Sequence, residues 1–328
     1  MNISVVIPSY NRADLLPETL NAVLGQTHQP AEIIVVDDGS TDDTPSVLAG
    51  FAPRVQHIRI PNSGELVTRN TGIRAATGDL VAFCDSDDLW RPEFLAEMVA
   101  LWEAEPGLHA AYSDFVIVRD GEWLSERKFA SAPPGFWDWL RPVGPHFAVF
   151  DQPVVERILK FQPFFPSAMV ANRAKFLELG GWDEGVSRII GCDLATVLRI
   201  ADAPPVGIVQ KPLVGIRKHV SNFSGDVQAM NLGDALVLEH VLRTRPGMEV
   251  YAAAIQASVA ERRRQALATA FTRKDMDAVR AIYSLLPGEA LDRSILVKHR
   301  IASLPKPLNR LAASLMLGLG SFKSRFRK

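Results

Sequence analysis

Cysteine is nearly missing from this chain, with Cys84 and Cys192 alone among 328 residues. Two cysteines make no disulfide framework and fit a reducing cytosol. Long hydrophobic runs are missing too. No stretch of eighteen apolar residues occurs, which excludes a bilayer-spanning segment. Ile3 to Ile7 is too short for the apolar part of a signal peptide, so a cytoplasmic location is expected. No internal repeat is long enough for a solenoid. Acidic residues are absent from one region only: none follows Asp292, while nine Lys and Arg do. The remainder holds 27 basic residues against 37 acidic ones. A net charge of −1 therefore conceals a basic tail on an acidic body, which suggests a separate job for the tail. With 47% hydrophobic and 22% charged residues, the chain has the composition of an ordinary globular protein of one large domain or two. Nucleic acid is not an expected partner.

What is present is organised around Gly78 to Trp90. Leu80 to Cys84 is a short apolar run that predicts a buried strand. It ends in Asp85, Ser86, Asp87 and Asp88, ahead of a loop with Pro92 and a helix whose apolar face carries Phe94, Leu95, Met98, Val99 and Trp102. Carboxylates this close repel one another unless a cation lies among them. Oxygen ligands suit a hard divalent ion, Mg²⁺ or Mn²⁺, that keeps substrate phosphate oxygens in its shell. An acid-decorated helix start would account for Asp88 and less well for Asp85, which belongs to the strand end.

The same unit recurs along the chain. Ile3 to Ile7 predicts a strand stopped by Pro8, followed by Tyr10, Asn11 and a helix capped by Asp14. Ile33 to Val36 predicts another, ending in Asp37 and Asp38. Val55 to Ile60 is a third, and Glu65 to Ala76 a helix with Arg69 and Asn70. Strand–helix alternation four times over implies a largely parallel sheet. Ligands in such sheets bind at the carboxyl ends of the strands, where Tyr10, Asp38 and Asp85 fall. His109 to Val118 is a further strand. Gly121 to Phe165, with ten of the 26 aromatics and six prolines, predicts an irregular, partly helical insertion around Phe136-Trp137-Asp138-Trp139. Ser167 to Ala171 is a short strand, and Asp193 opens a helix. Val206 to Val209 and Leu213 to Ile216 read as two edge strands before His219 and the run Val220 to Ser224. Helices follow from Gly225 on, with Lys274 to Leu286 pairing back on its predecessor.

Five blocks then stand in order: Val5 to Asn11, Val36 to Ser40, Arg69 to Gly72, Asp85 to Asp88, and Gly180-Gly181-Trp182-Asp183. Over about residues 3 to 224 they resemble the family 2 glycosyltransferases, inverting enzymes of GT-A fold that use nucleotide-diphosphate sugars. The resemblance implies an α/β, Rossmann-like nucleotide-diphospho-sugar transferase domain over 1–225, ahead of a helical region (226–300) and a tail (301–328). It implies that Pro8, Tyr10 and Asp38 hold the base, and that Asn11, Arg69, Asp85 and Ser86 belong to the nucleotide-sugar site. Asp87 and His219 are implied metal or diphosphate contacts, with Mn²⁺ or Mg²⁺ as cofactor. Asp193 is the implied catalytic base; its place at a helix start also allows an ordinary N-cap, the less favoured reading. Cys192 stands where the family usually has Glu. The expected donor is a nucleotide-diphosphate sugar, UDP-linked by preference. The expected acceptor is a glycan or lipid-linked hydroxyl of cell-envelope polysaccharide synthesis. Trp137 and Trp139 could stack on sugars or serve as core.

Two rival readings can be weighed. A sugar-phosphate nucleotidyltransferase would carry a Gly-rich loop with Arg and Lys after the first strand, where this chain has Pro8-Ser9-Tyr10-Asn11. A catalytically inactive nucleotide-binding subunit of a membrane-associated assembly stays open. In the tail, Leu308, Leu311, Leu315, Leu319, Phe322 and Phe326 recur at spacings of three and four, with Lys306, Arg310, Arg327 and Lys328 elsewhere on the helix. Such a helix suits an anionic membrane surface, giving peripheral attachment on its inner face, or docks on the protein's own helices.

Overall fold

The computed structural model describes residues 1–219 and 225–325, with side chains up to residue 318. The called run Val220 to Ser224, and Phe326, Arg327 and Lys328 of the tail, lie outside the described residues, as do the side chains of Leu319 and Phe322. The chain divides into two compact units, Met1–Arg188 with Cys192–Asn222, and Ile189–Gly191 with Phe223–Lys328.

The first unit is built on eleven strands: β1 (Ile3–Ser9), β2 (Glu32–Asp37), β3 (Gln56–Arg59), β4 (Leu80–Phe83), β5 (Leu89–Trp90), β6 (Ala110–Arg119), β7 (Glu122–Arg127), β8 (Arg141–Pro142), β9 (Phe147–Phe150), β10 (Met169–Asn172) and β11 (Val206–Arg217). Its helices are α1 (Leu16–Leu24), α2 (Thr44–Ala49), α3 (Glu65–Ala75), α4 (Phe94–Ala104), α5 (Val155–Lys160), α6 (Arg173–Glu178) and α7 (Asp193–Ala201). The sheet order is β3-β2-β1-β4-β10-β6-β11-β9-β8, with β5 against β11 and β7 against β6.

The expected parallel half is present: β3, β2, β1 and β4 run parallel, and β1, β2 and β4 are buried because their residues are apolar on both faces. The sheet as a whole is mixed, which corrects the largely parallel expectation. β10 runs antiparallel to both β4 and β6. The two predicted edge strands are one strand, β11, flanked by β6 and β9 in the interior of the sheet. Its register shifts around Pro212, and there the polar Gln210-Lys211 interruption is accommodated as an irregularity within a continuous strand. The aromatic insertion also supplies β7, β8, β9 and α5, so it is more regular than expected. Asp14 does not cap α1, whose N-cap position is Leu15 with no side-chain bond.

Helix α3 carries the Arg69–Gly72 block and lies close on the sheet. A methyl group at Gly72 would overlap Val6 Cγ1 and crowd Val36. Gly72→Ala is therefore expected to destabilise the protein by up to ~2 kcal/mol, since overpacking costs ~1–3 kcal/mol and better helix propensity returns ~1. Urea unfolding should show a lower midpoint at unchanged slope.

The second unit is helical: α8 (Val227–Thr244), α9 (Ala252–Thr272), α10 (Met276–Tyr283), α11 (Arg293–Ala302) and α12 (Leu308–Arg325). Its core joins Leu267, Phe271, Val279, Ile282, Ile295 and Ala313, so α10 does pack on α9 and α12 shares the same core. Among the described residues no helix is long and apolar enough to cross a membrane.

Candidate active site

The strand ends of the parallel half carry the site. Past β1, Asn11 takes a left-handed backbone (φ 51°), and its side-chain oxygen accepts from Thr41 N at 2.8 Å. Its own N–H donates to Ser40 Oγ at 2.9 Å, so the loops after β1 and β2 are tied together. Pro8 is buried in β1, whereas Tyr10 is exposed beside it. Asp38 follows β2 and is buried. Its Oδ1 accepts from Ser63 N at 2.7 Å and its Oδ2 from Gly64 N at 3.0 Å. A carboxylate has about four lone-pair sites, so each oxygen can take one more donor.

Arg69 is wholly buried on α3. Its Nη2 lies 2.5 Å from Asp85 Oδ1, it also pairs with Glu65, and its guanidinium lies 4.8 Å over the Trp182 ring. Its Nε and Nη1 find no hydrogen-bond partner among the described residues. Asn70 clamps the Gly-Gly-Trp block to the same helix, donating to Trp182 O at 2.8 Å and accepting from Trp182 N at 2.9 Å. Gly181 holds φ 63° there, and a Cβ on it would come within 2.8 Å of Asn70 Oδ1. Two blocks separated in sequence are thus one piece of structure.

The acid cluster is held from below by residues that motif reasoning missed. Ser167 Oγ accepts from Asp85 N at 2.9 Å and donates to Asp88 Oδ2 at 2.5 Å. Arg217, at the end of β11, donates its backbone N–H to Asp88 Oδ1 at 3.0 Å and its Nε to the Asp87 carbonyl. Its Nη2 reaches Thr19 Oγ1 at 2.7 Å, and Thr19 in turn donates to the carbonyl of the buried Ser86 at 3.1 Å. The expectation that Asp88 matches a helix N-terminus fails: it is buried on Ser167 and Arg217, ahead of β5 and well before α4. The only sequence hint was that Arg217 precedes His219 in a charged run.

Asp87, like Asp85, is a partly exposed member of the cluster. Its Oδ2 lies 3.0 Å from His219 Nε2 and 3.6 Å from Arg12 Nε. Burial, with Glu65 and Asp87 adding to it and Arg69 opposing, pushes Asp85 up to about 6. Burial and its two acidic neighbours push Asp88 well above the ordinary carboxylate range. Among the described residues no three His, Cys, Asp or Glu side chains form a metal cage of their own. One carboxylate and one imidazole at 3.0 Å nevertheless fit a hard ion that takes its remaining ligands from phosphate and water.

Asp193 is the first residue of α7, following Cys192 at the N-cap position, which makes no side-chain bond. The ordinary N-cap reading thus does not describe it, and the helix dipole favours an acid there. Its Oδ2 accepts from Gln162 Nε2 at 3.3 Å. The neighbouring Cys192 thiol is buried and pushed up by that burial, with Glu65 and Asp193 adding to it. Cys84 is likewise buried and pushed up, so both cysteines behave as small core residues. Trp137 packs among Phe129, Phe136 and Phe150, which makes it core; Trp139 is 82% exposed with Arg157 over its ring.

Comparison with known proteins agrees with this geometry. The sequence profile described as "Glycosyl transferase family 2" matches residues 4–156. The succinoglycan biosynthesis protein ExoO of Rhizobium meliloti is 36% identical over 137 residues, 40% of this chain and 39% of that one. The chain therefore spans well under two thirds of that relative's length. Among solved structures, S. aureus TarS 1-349 in complex with UDP-GlcNAc superposes with a TM-score of 0.60 at 18% identity, covering 88% of this chain and 83% of that one. Mannosyltransferase PcManGT from Pyrobaculum calidifontis, in complex with GDP-Man and Mn²⁺, gives 0.53 at 20% identity, over 96% and 86%. At these identities the two structures establish the GT-A fold.

Proposed function

Because residues 4–156 make this chain a member of glycosyl transferase family 2, we propose that it transfers a sugar, with inversion, from a nucleoside-diphosphate sugar to a hydroxyl of a glycan or lipid-linked acceptor. The observation that carries the reading is the Asp87–His219 pair, 3.0 Å apart, at the mouth of a strand end whose other acids are already engaged by Arg69, Ser167 and Arg217. Asp87 is the carboxylate of the cluster that has an imidazole beside it.

In this reading Asp38 accepts from the base and Tyr10 covers it, with Pro8 and Asn11 shaping the loop. Arg69 fixes Asp85 and acts on the nucleotide site through it. Asp87 and His219 hold Mg²⁺ or Mn²⁺, which when bound neutralises charge on the departing diphosphate as a Lewis acid. Arg12, 3.6 Å from Asp87, adds a second positive charge on the phosphate side. Asp193, oriented by Gln162, takes the proton of the acceptor hydroxyl as it attacks the anomeric carbon from the face opposite the diphosphate. The attacking oxygen gains the sugar and the nucleoside diphosphate leaves with the bonding electrons.

The test is a panel of nucleotide sugars incubated with purified protein and Mn²⁺ or Mg²⁺, following nucleoside diphosphate release. Metal-dependent release from one donor is the expected result. Failure to bind any nucleotide in calorimetry would overturn the reading of the strand ends, whereas binding without turnover would favour the inactive-subunit alternative.

A further inference from the structure

Helix α12 has two faces that the sequence spacing did not separate. Asn309 and Ala313 are buried, and Met316 and Leu317 pack partly on the core of the second unit. Leu308, Leu311 and Leu315 recur at three and four residues on a different face and are 53%, 60% and 62% exposed. If docking were the whole purpose of this helix, the leucines would occupy the docked face, because burying Leu stabilises far more than burying Ala or Asn. Instead the small and polar side chains dock and a leucine row is left outside. The surface around this row is net basic, although Asp277 lies 3.8 Å from Lys306. Arg293, Lys298, Arg300, Lys306 and Arg310 fall in α11, α12 and their connection, with no acid after Asp292. Lys306 and Arg310 also line a cleft of about 220 Å³ with Arg273, Lys274, Asp275, Met276 and Asp277.

We propose that the Leu308-Leu311-Leu315 row is a docking surface for an anionic lipid bilayer, with the leucines entering the acyl boundary and the surrounding cations on the headgroups. A second copy of this chain is a poor occupant, since it would bring the same net positive charge to the contact. An anionic bilayer meets both the apolar row and the charge.

The experiment is flotation of the whole protein with vesicles of phosphatidylcholine alone or mixed with phosphatidylglycerol, at low and high salt. Binding to the anionic vesicles that weakens with salt is expected. The triple change Leu308→Ser, Leu311→Ser, Leu315→Ser should lower partitioning by ~tenfold or more, with thermal unfolding unchanged because all three side chains are exposed. Lys306→Gln with Arg310→Gln should weaken binding and flatten its salt dependence. Failure to bind anionic vesicles at low salt would overturn the proposal, as would a triple variant that binds like the parent. A leucine-dependent dimer in light scattering, without vesicle binding, would overturn it as well. None of these readouts depends on sugar transfer, so they stand apart from the proposed activity.

Discussion

Asp193→Asn is expected to lower turnover of the donor by ~10²–10⁴-fold, the range typical for a lost general base. Nucleoside diphosphate affinity, measured by calorimetry, should stay within about twofold, because Asp193 lies at the start of α7, where its Oδ2 accepts from Gln162. Asn keeps the size of the side chain and its acceptor oxygen, so the Gln162 bond at 3.3 Å can persist while the ability to take a proton is lost. A loss of 10³ corresponds to ~4 kcal/mol of transition-state stabilisation. Should donor binding and turnover fall together, Asp193 would be a structural residue of the α7 start. Unchanged turnover would move the base elsewhere. Gln162→Ala offers a graded companion: it frees the carboxylate to rotate without removing it, so a smaller fall in kcat is expected.

Much of this site could be read from the sequence because its parts are local. The buried strands β1, β2 and β4 are uninterrupted apolar runs, and each is followed at once by its polar residues: Tyr10 and Asn11, Asp38, then Asp85 to Asp88. Periodicity and turn chemistry are enough for such units. The supports were not legible, because they come from far along the chain. Ser167 is 79 residues from Asp88, and Arg217 is 129 residues from it. No spacing rule connects them. Pairing partners were equally hidden. β10 is a short apolar segment whose antiparallel position between β4 and β6 leaves no mark on its composition. β11 was split in two because Gln210 and Lys211 look like a break, although a register shift lets one strand continue through them. In α12 the spacing marked an apolar face correctly, yet docking went to Ala313 and Asn309. Small side chains allow close approach of helices, and hydrophobicity alone does not report that.

The largest effect on the donor side is expected from Asp87→Ala, and it follows from the cost of the acid cluster. Asp85 is raised from the usual carboxylate range to about 6, first by burial and then by the charges of Glu65 and Asp87, against Arg69. A carboxyl whose folded pKa lies above its unfolded value near ~4 contributes stability that is complete below ~4 and lost as pH rises through about 6. Asp88 is raised in the same sense and therefore adds to the loss on the alkaline side. At neutral pH the cluster thus works against the fold, and under the proposed function a divalent ion on Asp87 and His219 would offset that repulsion. Wild-type protein should gain thermal stability when Mn²⁺ and a nucleoside diphosphate are added, more at pH 7.5 than at pH 5, where protons compete for the same acids (both pH values chosen at roughly 1 unit or more on either side of the Asp85 value). Asp87→Ala should abolish most of that gain and weaken metal-dependent diphosphate binding by ~10–100-fold. The fold itself should survive, since Asp87 and its partners His219 and Arg12 are all partly exposed and outside the core. Retention of the full Mn²⁺-dependent shift in Asp87→Ala would remove Asp87 from the metal site. A shift that no longer depends on Mn²⁺ but still requires the nucleotide would leave Asp38 and the Arg69-held Asp85 as the binding groups, with the diphosphate held by Arg12 alone.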